Sequence, residues 1–377
     1  MKLLNYYSLV WLFLSVTFLS CHRDDDEPIQ SRNAISRLYV SYSDYQPNED
    51  EKPYDNVQII EPSDQESFVL GLKHVSEAKG GAGIHFFPYT GMVFQSEKID
   101  PSAQDTMIYM MSVGETGVLN NRGKIMNHKL GGIKGLVYYK SNTNQNEDSS
   151  IDNLYAASVL DSTIYVFEKP NTYANKEVDP IQEIHLKDVA PWKIILRDRD
   201  MLISIAGRDG GVAVFKDLVG KREERIESLE ADYILRIKGS RNIRGLDYDP
   251  FMDVLVLTDY EEGKGRLLFI EDFSKKQTSQ EVEPDRVIEG DNTELLEPMD
   301  VEVDKRENSA YLYVADQSSQ KIFRFKKDAS GDVAADKQLS TSPRTPVALA
   351  LDARGPVDQE QEVIDPDDPE PDPEPNP

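Results

Sequence analysis

Cys21 is the only thiol in the chain, and its position limits what it can do. It closes an apolar run, residues 3–19, that follows Met1-Lys2. A lone cysteine excludes an internal disulfide and any cysteine-based zinc site. Other signatures of chemistry are missing: there is no His-Glu-x-x-His and no Gly-x-Ser-x-Gly. The five histidines, His22, His74, His85, His128 and His185, are scattered. Only His85 falls in a first-strand position, and it reads as a histidine satisfied locally. Residues 117–125 (GVLNNRGKI) imitate a phosphate loop, but the spacing to Gly123-Lys124 is one residue too long. Ile125 also stands where a magnesium-binding hydroxyl belongs. Residues 79–83 lack a following helix and read as a turn. Asp44, Asp259 and Asp316 end strands, where an aspartate caps turn backbone.

The N-terminal run is short and interrupted by Asn5, Ser8, Ser15 and Thr17, as in a signal peptide rather than a lasting membrane span. Phe18-Leu19-Ser20-Cys21 resembles the lipobox of bacterial lipoproteins, which implies cleavage after Ser20 and a diacylglycerol on the Cys21 sulfur. The acidic stretch His22-Arg23-Asp24-Asp25-Asp26-Glu27 resembles the surface-export signal of Bacteroidota lipoproteins. Together they imply an outer-membrane lipoprotein exposed on the cell surface, with retention facing the periplasm as the alternative. The membrane contact would be made by acyl chains at Cys21, not by a protein span.

The elements that follow have a period of two. Residues 297–327 hold three strands: Met299-Val301-Val303 alternating with acidic residues, then Leu312-Tyr313-Val314-Ala315 ending at Asp316, then Ile322-Phe323-Phe325. The same grammar recurs at intervals of tens of residues, the mark of a repeat architecture. Inner strands are expected at Ile84–Phe87, Gly135–Tyr139, Trp192–Leu196, Ile243–Tyr248 and Met299–Val303. The first unit starts with a second strand, Leu38-Tyr39-Val40-Ser41, continues with Val57–Ile60, and has Phe68–Leu72 as its outer edge. It lacks a first strand. The C-terminal stretch Pro346 to Asp352 is a first strand with nothing behind it. The two defects cancel if that strand completes the first unit, which also removes open sheet edges. The fold class is therefore all-β: a six-bladed β-propeller closed by pairing of the C-terminal strand with the N-terminal blade. Residues 219–231 read as a charged loop between strands, with a weak helical side at Ile226 and Leu229 as the alternative.

The domain plan is a signal peptide at 1–20, a lipidated acidic tether at 21–34, the propeller at 35–352 and a disordered Pro/acidic tail at 353–377. In the tail, prolines hold the carboxylates apart and like charges repel, which argues against a calcium site there. A net charge of −26 over 377 residues argues against binding nucleic acid.

The blades with Asp at strand ends resemble NHL- and YVTN-type propellers over residues 35–352. The resemblance speaks for fold and poorly for function. The first reading is a non-catalytic module that binds an envelope protein or a glycan and needs no cofactor. Tyr42, Tyr45 and Tyr54 are its candidates for stacking on sugars. The alternative comes from six-bladed calcium-dependent lactonases similar to gluconolactonase, where carboxylates and an asparagine hold calcium at a channel mouth. By position, Glu297 and Asn242 are the metal candidates under that reading. The Glu-Gly-Pro motif of that group is absent; Glu297-Pro298 is what stands nearest to it. The alternative requires at least three carboxylate or amide side chains converging at one mouth of the channel.

Overall fold

The computed structural model describes residues 34–45, 54–98, 106–141 and 151–355. Cys21, the acidic tether, the tail from residue 356 and most of the polar insert after Ser141 lie outside the described residues.

Near-continuous apolar runs bury both faces of the middle strands between sheets, the outer strands alternate more and less buried residues, and six sheets result, antiparallel in their four main strands. From the inner strand outward, blade 1 is Pro346–Arg354, Ile35–Tyr42, Val57–Ile60 and Lys73–His74. Blade 2 is Gly81–Phe87, Met92–Glu97, Met107–Val113 and Leu119–Met126. Blade 3 is Ile133–Lys140, Asp152–Ser158, Thr163–Glu168 and Gln182–Leu186. Blade 4 is Pro191–Arg197, Asp200–Ile205, Gly211–Phe215 and Tyr233–Ile237. Blade 5 is Ile243–Asp249, Val254–Glu261, Lys264–Ile270 and Arg286–Ile288. Blade 6 is Pro298–Val303, Tyr311–Asp316, Lys321–Lys326 and Lys337–Ser340. Each inner strand packs against the inner strands of both neighbouring blades, so the six line a central channel.

The core is divided among the blade interfaces. Six apolar clusters are present, and each joins two consecutive blades. The closing strand serves two of them. It pairs with Ile35–Tyr42 from Ile35 opposite Arg354 to Tyr42 opposite Pro346. Leu38, Val40 and Leu349 face Tyr313, Ala315 and Ile322 of blade 6. Tyr39, Ala348 and Ala350 face Ile84, Phe86 and Val93 of blade 2. The expected closure is what the chain forms, and burying Leu349 alone contributes about 1.5–3 kcal/mol to holding it.

Two details depart from the sequence expectation. The outer strand of blade 1 is Lys73–His74, beyond the apolar run at 68–72. Phe68 turns instead to blade 6, where it stacks on Tyr313 (centroids 6.3 Å apart) beneath the Arg324 guanidinium, 5.2 Å away. The stretch 219–231 is neither an α-helix nor a plain loop: it leaves a short 3₁₀ turn at Leu218–Gly220, and Arg225–Leu229 is a strand, parallel to the outer strand of blade 3. Lys176–Glu177 and Gln280–Val282 do the same on blades 2 and 4, and Gly331 bridges to Ile288 on blade 5. The connector between the third and fourth strands of one blade thus covers the outer edge of the preceding one, satisfying backbone groups that would otherwise stay open.

Candidate binding site at the channel mouth

Where the inner strand begins, every blade carries a bulge against its second strand. The register breaks fall at 81–84, 133–135, 191–194, 243–246, 298–300 and 41–42. Hydroxyls of the second strands occupy the freed backbone groups. Ser96 Oγ donates to the Ile133 carbonyl at 2.8 Å, Ser204 Oγ to the Arg244 carbonyl at 2.6 Å, and Thr258 Oγ1 accepts from Gly245 N–H at 2.7 Å. A bulge re-aims the side chains beside it. Here the residues at and beside the bulges, among them Lys134, Trp192, Arg244, Met299 and Val347, line one cavity of about 570 Å³.

Glycine lets these strands crowd together. A Cβ on Gly245 would lie 2.7 Å from the Asp300 Cα, and one on Gly83 would lie 2.4 Å from the Lys134 carbonyl oxygen. The loops leading into the inner strands are pinned by the aspartates that end the second strands. Asp316 accepts from Leu296 and Glu297 N–H, both at 2.8 Å, and from Ser319 at 2.9 Å. Asp259 accepts from Arg241 and Asn242 N–H, and Asp44 from Thr345 N–H. Sequence reasoning assigned these aspartates to their own turns. Only Asp316 also holds its own turn; in all three the main partner is the loop feeding the inner strand.

Below the mouth the channel is closed by charge. Lys193 Nζ, buried, donates to both Asp300 oxygens (3.0 and 2.8 Å), to Glu302 Oε1 (2.9 Å) and more distantly to the Leu349 carbonyl. Asp300 also accepts from Val301 and Leu349 N–H. Burial acts to lower the Lys193 ammonium, but the two carboxylates outweigh it and hold its pKa above the usual lysine range. Burial pushes the Glu302 carboxyl up to about 7, against the pull of Lys193 and with the repulsion of Asp247 and Asp300. Nearer the opposite mouth, Lys305 pairs with Asp247 at 2.7 Å. His85 lines that end of the channel. Its Nε2 accepts from Tyr138 N–H at 3.1 Å, and burial, with Lys193 and Lys305, lowers its pKa to about 3. It is a satisfied structural histidine, as its isolation in the sequence suggests.

Glu297 lies at the rim and accepts from Ser318 Oγ at 2.5 Å. Burial would raise its carboxyl, but hydrogen bonds from Ser318, Gln317 and Tyr260 and the charge of Arg244 hold it below the ordinary value. Asn242 is half-buried, its backbone held by Asp259. Among the described residues, no group of three or more His, Cys, Asp or Glu side chains is arranged to hold a metal ion. Of the proposed stacking tyrosines, Tyr42 is fully buried and donates to Gln58 at 2.9 Å, so it cannot meet a sugar. Tyr54 carries the Arg344 guanidinium 3.7 Å from its ring centroid. Tyr45 is partly exposed.

Sequence reasoning missed the residues that dominate the mouth. Arg244 lies over the Trp192 ring at 4.1 Å and Lys134 over the same ring at 5.2 Å. A signal was present: a lone lysine or arginine recurs at the start of otherwise apolar inner strands, at 134, 193 and 244.

No family model matches the sequence, and a search among curated proteins finds no match. Solved structures do. A chain of a nidogen–laminin complex superposes with a TM-score of 0.53 at 13% identity, covering 84% of this chain and 98% of that one. The periplasmic gluconolactonase of Pseudomonas aeruginosa gives 0.50 at 12% identity, covering 85% and 100%. A putative 6-phosphogluconolactonase from Bacteroides uniformis gives 0.50 at 9% identity, covering 84% and 99%. The likeness is one of fold. This chain is a six-bladed β-propeller, and that scaffold is shared by proteins of very different use.

Proposed function

We propose that this propeller is a non-catalytic binding module, anchored to the outer membrane by a lipid on Cys21 and displayed on the cell surface in the manner of Bacteroidota lipoproteins. It would take part of an envelope glycan or protein into the mouth of its channel. One observation carries the reading: directly under the mouth, Lys193 bridges Asp300 and Glu302. The carboxylates that come together in the channel are therefore committed to lysines instead of lying open for a calcium ion. What remains above them is a cup with a fixed polar floor, suited to holding a ligand. Fold likeness to a gluconolactonase favours the second reading, a calcium-dependent lactone hydrolase, in which Glu297 and Asn242 would contribute donors.

A glycan array probed with the purified protein tests the first reading, with Ser318→Trp, which fills the mouth from its exposed rim, as the control. Binding lost in Ser318→Trp at unchanged melting temperature supports it. Lactone turnover that calcium activates and EDTA abolishes, or a calcium-dependent rise in melting temperature, would replace it with the second. Anchoring is tested separately: Cys21→Ala protein should leave the membrane fraction, and if it still sediments with membranes the lipid is not the anchor.

A further inference from the structure

We propose that the channel mouth is an anion site, recognising the carboxylate or phosphate of an acidic sugar of disaccharide size or smaller. This rests on the reading of the mouth as the ligand site and adds the chemistry of the ligand.

The charge of the cup is opposite to that of the chain. Four cations line it, Lys98, Lys134, Lys193 and Arg244, against two carboxylates, Asp44 and Asp300, in a protein whose net charge is −26; Lys193 is committed to Asp300 and to Glu302 beneath, so Lys98, Lys134 and Arg244 give the cup its positive character. Both carboxylates are already occupied. Asp300 is held by Lys193 and two backbone N–H groups, and Asp44 by the N–H and hydroxyl of Thr345. Glu297, set just outside the lining, balances part of the Arg244 charge.

Arg244 is the most telling member. Its guanidinium lies 4.1 Å from the Trp192 ring centroid and 5.8 Å from that of Tyr260, contacts that hold the cation at the mouth. Nη1 donates to its neighbouring carbonyl, Ile243, at 3.3 Å, and the guanidinium also interacts with the Tyr260 hydroxyl. Nε is buried and finds no partner among the described residues. A buried donor left unsatisfied is costly, and a planar guanidinium is matched by carboxylate or phosphate oxygens. Lys134 adds a second cation above the same indole, and Lys98 stands exposed on the rim. A cavity of about 570 Å³ holds one or two sugar rings. Gln317 and Ser318 offer an amide and a hydroxyl for sugar hydroxyls.

Because the chain as a whole is acidic, salt would act on the whole protein as well as the site, so neutral analogues are the cleaner comparison. The experiment is isothermal titration of the purified full-length protein with digalacturonate, glucose 6-phosphate and maltose. At least one acid is expected to bind, and at least about tenfold more tightly than maltose, the better of the two identifying the anion. Arg244→Gln and the exposed Lys98→Gln should each weaken that acid about tenfold. The proposal is overturned if neither acid binds at about 10 mM, if maltose binds as tightly, or if both variants, folded by their melting curves, keep full affinity. Ser318→Trp separates the two levels. Saccharide binding that Ser318→Trp abolishes but the charge variants leave intact means a mouth for neutral ligands. Saccharide binding that Ser318→Trp also leaves intact removes the mouth as the site altogether.

Discussion

Replacing Lys193 with methionine keeps roughly the length of the side chain and deletes its charge. In the native protein Lys193 is the shared partner of Asp300 and Glu302, and Asp300 is 2% exposed. Removing one partner of a buried ion pair leaves an uncompensated charge, at a cost of about 3–5 kcal/mol. For a domain of this size that is a drop of roughly 5–8 °C in melting temperature at pH 7.5. The loss should also depend on pH. Without the ammonium, both carboxyls hold their protons to higher pH than before, so acid relieves the repulsion that the substitution exposes. The deficit should therefore shrink between pH 8 and pH 5, measured as the difference between variant and native melting temperatures. Adding Asp300→Asn and Glu302→Gln to the methionine variant should restore much of the stability at pH 7.5. A variant that melts within about 1 °C of the native protein at pH 7.5, or a deficit that does not shrink in acid, refutes the claim that this cluster plugs the channel.

Glu302→Gln should flatten the native pH dependence. A carboxyl raised to about 7 stabilises the fold fully below its unfolded pKa, and that contribution is lost as pH rises through 7; chemical denaturation at pH 5 and pH 8 reads the slope. Arg324→Met should cost about 3–5 kcal/mol in urea titrations, because Arg324 is 1% exposed and joins Asp336 to the Ser63 and Gln65 carbonyls across the interface of blades 6 and 1. Gly245→Ala should cost about 1–3 kcal/mol, since the added methyl meets the blade 6 backbone at the Asp300 Cα; calorimetry showing no loss would mean that the inner strands can separate freely.

The scaffold was readable because its signals are local and repeated. Alternation of Val301 and Val303 with Asp300 and Glu302 specifies a strand with one apolar and one polar face, and the missing strand before Leu38 has its complement at 346–352. The binding surface was harder to read for a physical reason. Lys134, Lys193, Arg244 and Asp300 lie on four different blades, and their relation depends on bulges at the strand starts, which carry no residue signature of their own. The acidic face of Met299–Val303 was visible, but its partner Lys193 is more than a hundred residues away. The strand at Arg225–Leu229 was missed because it is charged and exposed, with an edge position instead of an apolar face to announce it. Tyr42 was misjudged because aromatic residues at strand ends look alike in sequence whether they face solvent or a neighbouring blade.

The strand that shuts the ring is the last in sequence among the described residues. Until it docks, Leu38, Val40 and Tyr39 have no inner neighbour, and the inner edge of Ile35–Tyr42 stays unpaired while the other five blades can stack only as an open arc. Joining the first and final strands spans more than three hundred residues of chain, so it belongs to the slowest class of folding contact. The arc is the stage at which this protein is most exposed to pairing with another copy of itself.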